Sequence, residues 1–221
     1  MASSPPTRRQ DASRAHACAN APAHARVLVR IRQQLQLSER DEIEPLAARH
    51  GVTLAWKPFL LGPVFAALCW QGSPFVVQRA KGAYAMIDTA RQCAKYGLPW
   101  RQPSQFPRRA LLPMRVALLG AQEPWIGAYC RRIMRMNFAE DRDIDNPEAV
   151  GEALAELGLP ADALLAAAVL RQNKEALRAQ TERALHRGVF GAPTFFVGGQ
   201  MFWGNDRLED ALAFAIEQQA A

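Results

Sequence analysis

The stretch from Gly188 to Leu208 constrains the fold more than any other part of the chain. It reads GVFGAPTFFVGGQMFWGNDRL, with β-branched and aromatic residues on one side of a glycine pair and a second apolar run on the other. This pattern predicts a tight β-hairpin over residues 194–203. Asn205 or Asp206 is then placed to cap a final helix. Helical spacing predicts that the buried face of this helix comprises Leu208, Ala211, Leu212 and Ile216.

Two features of this stretch indicate a binding site. Pro193 stands directly before a strand, where an X-Pro bond can be cis and can leave the preceding backbone free to pair with an extended ligand. The final helix also begins close to the hairpin, and its first N–H groups are available to a ligand carboxylate. The alternative on these residues alone is a plain hairpin followed by a capped helix.

The same residues resemble the C-terminal end of the 2-hydroxychromene-2-carboxylate isomerases and the related kappa-class glutathione transferases. The family pattern is F-G-x-P-T, a hairpin and then W-G-x-D-R, and it is present from Phe190 to Thr194 and from Trp203 to Arg207. The resemblance covers residues 43–217. It implies an α/β protein with a thioredoxin-like fold interrupted by an all-helical insertion domain.

The resemblance also implies a glutathione site. The backbone of Ala192, before the cis-proline, would pair with the cysteinyl part of glutathione. Asp206 would accept from the γ-glutamyl ammonium, while helix N–H groups would take its carboxylate. The glutathione-binding residues implied in this way are Ala192, Pro193, Trp203, Gly204, Asn205 and Asp206.

Composition narrows the class of partner. The chain has 221 residues, of which 49% are hydrophobic, so it can bury a core. Its net charge of +6 comes from 27 basic residues scattered among 21 acidic ones. No basic run with interleaved aromatics occurs, which argues against nucleic-acid binding. A modest positive field would help to attract an anionic carboxylate, and the resemblance implies that this substrate is a small aromatic carboxylate.

The cysteines exclude several chemistries. Cys18, Cys69, Cys93 and Cys130 form no C-x-x-C motif and no zinc-binding spacing, so we expect buried or incidental thiols, no metal and no dithiol oxidoreductase activity. The absence of a disulfide framework favours the cytosol. No apolar run reaches transmembrane length, and the N-terminus lacks the apolar segment of a signal peptide. A cytoplasmic protein without a membrane partner is expected.

The remainder of the chain suggests three parts. Residues 1–26 have no periodicity and are predicted to be a disordered or mistranslated tail. Residues 27–65 and 183–221 are predicted to form the thioredoxin-like domain, with a strand at 27–31, a helix ending at Gly51 and a strand at 52–56. Residues 66–182 are predicted to be the helical insertion. Its predicted helices lie at 73–94, within 111–138, at 147–157 with Asn146 as N-cap, at 161–171 and at 174–186.

A proline-rich loop at residues 101–107 is the candidate substrate region, because the corresponding loop in the family lines the substrate pocket. Phe106 is predicted to stack on an aromatic substrate, and Arg101 or Lys81 to meet its carboxylate. The alternatives are that Phe106 is a packing residue and that the two basic side chains are solvated.

The N-terminal part departs from the family. The family has an S-x-Y-x-Y-L-like motif whose serine, at a helix N-terminus, hydrogen-bonds the glutathione thiolate. That serine is expected near Gln33, where no serine, threonine or cysteine stands, and Ser38 comes about five residues late. Read one nucleotide later, codons for residues 31–42 can encode E-F-G-S-N-Y-S-Y-L. We therefore hypothesise a shifted reading frame that ends just before Ile43; the alternative is a divergent N-terminus.

The resemblance implies a glutathione-dependent isomerisation of 2-hydroxychromene-2-carboxylate to trans-o-hydroxybenzylidenepyruvate in aromatic-compound catabolism. The thiolate would add to the substrate, the ring would open, a bond would rotate and the thiol would leave. A homodimer is also implied. Two alternatives remain: a kappa-like transferase or peroxidase, and a catalytically impaired thioredoxin-like protein that binds glutathione without turnover.

Overall fold

The computed structural model describes residues 24–28, 43–70 and 72–220. In chain order the elements are β1 (His24–Leu28), α1 (Ile43–Arg49), β2 (Thr53–Trp56), α2 (Leu61–Ala67), α3 (Pro74–Val77), α4 (Arg79–Lys95), α5 (Leu111–Leu119), α6 (Ile126–Phe138), α7 (Pro147–Glu156), α8 (Ala161–Ala168), α9 (Arg171–His186), β3 (Thr194–Val197), β4 (Gln200–Trp203), a 3₁₀ turn (Asn205–Arg207) and α10 (Leu208–Ala220).

The four strands form one sheet in the order β2-β1-β3-β4. β1 is parallel to β2 and antiparallel to β3, and β3 and β4 form the antiparallel hairpin. Helices α2 to α9 all lie between β2 and β3 in the sequence. This is the thioredoxin-like arrangement with a helical insertion that the sequence predicts. The exact domain bounds given above stay a prediction.

The hairpin lies where the sequence places it, and Gly198 in its turn has a φ of +58°. All four residues of β3 are buried, so this central strand is covered on both faces. Phe195 and Val197 pack on one side with Ala211 and Leu212 of α10. Phe196 packs on the other side, within a small cluster that includes Phe59, Leu61, Val64, Ala184 and Val189.

The helical part is held by an apolar core and by polar ties to the sheet. Tyr129, Ile133, Met134 and Met136 of α6 are at most 1% exposed and belong to this core. The Thr181 hydroxyl of α9 accepts from the Leu60 N–H at 3.1 Å. This bond fixes α9 to the segment that follows β2.

Capping matches the sequence at α7. The Asn146 side chain accepts from Glu148 N–H at 2.8 Å and from Ala149 N–H at 3.3 Å, as predicted for its N-cap. No helix of the described ranges is long and apolar enough to cross a membrane.

Several predicted bounds differ from the structure. The described part of β1 runs from His24, within the stretch predicted to be a tail, to Leu28, and residues 29–31 of the predicted strand lie outside the described residues. The 73–94 segment is divided at Gln78 into α3 and α4, and a turn at residues 120–125 separates α5 from α6. In that turn a side chain at Gly120 would lie 2.1 Å from the Trp125 ring, so only glycine fits.

The predicted buried face of α10 is wrong at one position. Ile216 is 36% exposed, whereas Ala215 is fully buried. Residues 211, 212 and 215 define the centre of the buried stripe, and residue 216 lies about 100° further round the helix, at its edge. Residues 1–23 of the predicted tail, the expected serine position at Gln33, and the whole 31–42 segment of the frameshift hypothesis lie outside the described residues.

Candidate functional site

A single hydrogen bond joins the proline loop to the start of the last helix. The Gly204 N–H donates to the Pro193 carbonyl at 3.1 Å. Beside it, Thr194 is paired with Trp203 across the hairpin, and the buried Thr194 hydroxyl donates to the Gly191 carbonyl at 2.9 Å. Residues 190–194 and 203–206 therefore form one structural unit, which we call the proline corner. The Ala192–Pro193 bond is cis, as the sequence suggested.

The Trp203 indole forms one wall of the proline corner. Its ring centroid lies 4.9 Å from that of Phe190. A Cβ at Gly191 would come within 2.3 Å of the Trp203 Nε1, so the indole rests directly on the glycine backbone. Trp203 is nevertheless 51% exposed. It therefore offers a large aromatic surface next to Ala192.

Ala192 provides free backbone groups. Within the described part of the chain, its N–H and C=O make no backbone hydrogen bond, although Pro193 and Thr194 on its C-terminal side are both bonded. Backbone polar groups need a partner, and a bound ligand can supply it at this position. This is the property that the resemblance requires of the residue before the cis-proline.

No side chain caps the 3₁₀ turn that leads into the last helix. Gly204 is the N-cap and has a φ of +117°, which favours glycine, and neither Asn205 nor Asp206 makes a side-chain capping bond. The predicted N-cap is therefore wrong, because both residues lie inside the first turn rather than before it. Their N–H groups have no partner among the described residues. Free N–H groups at a helix N-terminus attract an anion.

The Asp206 carboxylate is directed back over the proline corner. A Cβ at Gly204 would lie 2.5 Å from the Asp206 Oδ1, so that oxygen lies against the residue that bonds Pro193. The other oxygen is 3.3 Å from an Arg207 nitrogen, and Arg207 also binds Asp210 at 2.9 Å. The hydrogen bond that Arg207 donates to Asp210 and the charges of both carboxylates raise the pKa of Arg207. Asp206 thus keeps one oxygen available to a cationic group.

The predicted substrate residues lie elsewhere. Phe106 contacts Phe75, with ring centroids 6.3 Å apart. Arg101 is 65% exposed and 3.9 Å from Asp141, and Lys81 is on the exposed surface of α4. Among the described residues, no hydrogen bond, ion pair or ring contact joins these three to the proline corner. Their roles in binding a substrate stay predictions.

A buried arginine network supports the loop that carries Phe106, and sequence reasoning missed it. Arg108 is 6% exposed and donates to the Asn137 Oδ1 and to the Ser104 hydroxyl, each at 3.1 Å, and to the Asp141 carboxylate. Hydrogen bonds from the Ser104 backbone and from Arg108 lower the pKa of Asp141 to about 2. Sequence offered no signal for it, because Arg108 and Asp141 are 33 residues apart.

Comparison with known protein families is consistent with this geometry. Residues 36–215 match the profile of the family described as DSBA-like thioredoxin domain. The chain is 31% identical over 183 residues to the 2-hydroxychromene-2-carboxylate isomerase of Sphingobium xenophagum, which covers 80% of this chain and 89% of the relative. It is 27% identical over 184 residues to the enzyme of the same name from Pseudomonas putida, covering 81% and 89%.

Among solved structures, the chain is similar to a 2-hydroxychromene-2-carboxylate isomerase. The superposition has a TM-score of 0.74 at 25% identity, and it covers 89% of this chain and 98% of that one. The superposition therefore extends over most of both chains and supports a shared fold.

Proposed function

The chain belongs to the DsbA-like thioredoxin family and, within it, to the 2-hydroxychromene-2-carboxylate isomerases, and from this membership we propose a glutathione-dependent isomerase. Its substrate would be 2-hydroxychromene-2-carboxylate and its product trans-o-hydroxybenzylidenepyruvate, in aromatic-compound catabolism. Its relatives bear the name of that isomerase, and the fold is theirs. Glutathione dependence is the part of the proposal that the proline corner supports.

The bond between Gly204 and Pro193 carries the proposal. It sets the free Ala192 backbone beside the free N–H groups of Asn205 and Asp206. An extended tripeptide with an ammonium and a carboxylate at one end fits these groups. Its backbone would pair with Ala192, its carboxylate would accept from the helix N–H groups, and its ammonium would meet the Asp206 Oδ1.

When bound, glutathione supplies the thiol that acts as nucleophile. The described residues of the proline corner bind and orient the tripeptide, but they do not activate its sulfur. Among the described residues of the proline corner, Thr194 alone carries a hydroxyl, yet it is 1% exposed and already donates to Gly191. Lowering a thiol pKa requires a hydroxyl donor or a positive environment. We therefore expect the chain as written to be a poor catalyst.

The frameshift hypothesis for the N-terminal part explains why we expect a poor catalyst. The family match begins at residue 36, after the position near Gln33 where the serine is expected. A shifted reading frame up to residue 42 would remove the serine and leave the proline corner intact. This frameshift remains a prediction, and the coding DNA tests it.

A second candidate is a thioredoxin-like protein that binds glutathione without turnover. Two observations favour the binding protein for this chain. The Thr194 hydroxyl is already bonded to the Gly191 carbonyl, and the serine expected near Gln33 is missing. An isomerase assay separates the two candidates: measurable conversion of the chromene carboxylate supports the enzyme, and glutathione binding without conversion supports the binding protein.

The exposed apolar surface of α3 and α4 supports the proposal of a homodimer. Val76, Val77, Tyr84 and Ile87 are each more than half exposed. Exposed apolar patches of this kind mark interaction surfaces. Sedimentation at several concentrations tests this, and a monomer at every concentration contradicts it. We also propose a cytosolic location, since the four cysteines form no disulfide framework by their spacing.

Calorimetry with two matched variants tests the glutathione site. Asp206→Asn removes the charge proposed to bind the ammonium, and Glu209→Gln removes the same charge three residues later on the same helix. We expect Asp206→Asn to weaken glutathione binding about tenfold, or about 1.4 kcal/mol, and Glu209→Gln to leave it unchanged. No binding by the unmodified chain, or equal effects of the two variants, would refute the site.

A further inference from the structure

Arg115 on α5 is a half-buried cation that has no partner among the described residues. Its Nε is buried and makes no hydrogen bond, and its guanidinium forms no ion pair with any carboxylate in the described ranges. Buried donors are normally satisfied, and an unsatisfied one is destabilising. Each of the other described arginines between residues 111 and 186 has an acceptor: Arg131, Arg132, Arg135, Arg142, Arg171, Arg178 and Arg183.

The side of α5 that carries Arg115 is otherwise apolar. Residues three and four apart share a helix face, so Leu111, Leu112, Leu118 and Leu119 lie beside Arg115. Leu111, Leu118 and Leu119 are half-buried like Arg115 and pack against the core, whereas Leu112, Met114, Val116 and Ala117 are buried in it. One unpaired guanidinium among leucines is suited to an anion with an apolar body.

Helix α9 shows where this face lies relative to the proline corner. After the C-terminus of α9, Arg187 donates to the carbonyl of Gly198, in the hairpin turn. Thr181 lies about 9 Å back along the axis and binds Leu60, just after β2. The β3 strand spans a similar length from its turn to Thr194. Thr181 is therefore about level with the proline end of the sheet.

Arg115 lies beyond that end. The Asn173 side chain donates to the Arg115 carbonyl at 3.0 Å. Asn173 precedes Thr181 by eight residues, which places it about 12 Å further along α9. An arginine side chain and a two-ring aromatic acid together can span this separation along the axis of α9. The two basic residues predicted from sequence are less suitable, because Arg101 is near Asp141 and Lys81 is exposed.

We propose that Arg115 binds the carboxylate of the aromatic substrate and that the leucines of α5 pack against its rings. The planar guanidinium can bind a carboxylate through two parallel hydrogen bonds, which gives both affinity and orientation. Arg115 is then a specificity-determining residue for acids over neutral aromatics. This proposal rests on the proposed function, since it uses that substrate class. The glycyl carboxylate of glutathione is the other possible anion, and the experiment distinguishes the two.

Calorimetry with chromone-2-carboxylate, an unreactive planar analogue, and with neutral chromone tests the assignment. We expect the unmodified chain to bind the acid more tightly than chromone. Arg115→Met should weaken binding of the acid at least tenfold and leave chromone and glutathione binding unchanged. Arg115→Lys should retain part of the affinity, and Arg178→Met, at an exposed arginine paired with Glu182, should have no effect.

Three results would overturn the proposal. The unmodified chain could bind the acid no more tightly than chromone, or not at all. Arg115→Met could bind the acid as tightly as the unmodified chain does, or it could lose glutathione binding. Thermal unfolding provides an independent readout. Because Arg115→Met removes an unpaired, half-buried charge, its melting temperature should be unchanged or higher. A lower melting temperature would indicate a structural role instead.

The two proposals can fail separately. Asp206→Asn should weaken glutathione binding and leave binding of chromone-2-carboxylate unchanged. If the chain binds no glutathione but binds the acid through Arg115, the glutathione proposal fails and the Arg115 subsite stands. If glutathione binds and the acid does not, the Arg115 subsite fails and the glutathione proposal stands.

Discussion

Replacing Gly191 with alanine tests whether Trp203 shapes the proline corner. The new Cβ would lie 2.3 Å from the Trp203 Nε1 and 2.9 Å from its Cε2, well inside van der Waals contact. The backbone at Gly191 cannot retreat easily, because its carbonyl accepts from the buried Thr194 hydroxyl. The indole must therefore move, and it can do so because it is 51% exposed.

The expected loss of stability is small because the Trp203 indole is free to move. Overpacking a rigid core costs about 1–3 kcal/mol. Since the indole can turn toward solvent, we expect the free energy of unfolding to fall by about 1 kcal/mol, at the lower end of that range. Glutathione affinity should fall about tenfold, because the wall beside Ala192 is lost. Urea unfolding and calorimetry measure the two effects.

A matched control and a double mutant make the result decisive. Gly199→Ala changes another glycine of the same hairpin, where a Cβ would meet nothing within 4 Å, and it should leave glutathione affinity unchanged. In a Trp203→Ala background the steric conflict is gone, so Gly191→Ala should add little further loss. Equal losses from Gly191→Ala in the two backgrounds would refute the role of Trp203.

Three further predictions concern other parts of the molecule. The pKa of Asp141 is lowered from 3.8 to about 2 in the folded protein, so its contribution to stability is present above pH 4 and lost as pH falls toward 2. Asp141→Asn should therefore make the free energy of unfolding depend less on pH between pH 4 and pH 2. An unchanged dependence on pH would contradict the role of the Arg108–Asp141 network. Cys69 is exposed, whereas burial raises the pKa of the Cys93 thiol to about 11. When the native protein is labelled with a thiol reagent, Cys69→Ala should remove one fast-reacting thiol and Cys93→Ala should remove none. Equal numbers of labelled thiols in the two variants would contradict this. If the coding DNA contains the serine motif one base later, restoring the frame should raise isomerase turnover about 100-fold, because one hydrogen-bond donor to a developing anion has about this effect on rate. DNA sequencing and an isomerase rate assay check this prediction. A DNA sequence without the motif would refute the frameshift hypothesis.

The proline corner could be predicted from sequence because its determinants are local. The hairpin follows from an apolar run on each side of Gly198-Gly199, and the cis position from a proline directly before a strand. Both are properties of adjacent residues. The uncapped start of the helix was missed for a local reason as well. Gly204 adopts a backbone conformation that makes it the N-cap, and residues 205 and 206 were the obvious candidates by side-chain type alone.

The parts that sequence reasoning missed depend on contacts between distant residues. Arg108 and Asp141 meet only because the loop before α5 folds against the end of α6, and no spacing rule relates residues 33 positions apart. Arg115 looks like an ordinary surface arginine in the sequence. Only the packing of α5 against α9 shows that its Nε is buried without a partner.

Binding of glutathione and of cysteinylglycine tests the central claim most directly. Cysteinylglycine keeps the thiol and the glycyl end but lacks the γ-glutamyl group that the N–H groups of residues 205 and 206 and the Asp206 carboxylate are proposed to hold. We predict that the unmodified chain binds glutathione at least tenfold more tightly than cysteinylglycine in calorimetry, and that Asp206→Asn narrows this difference. Equal binding of the two thiols would contradict the account.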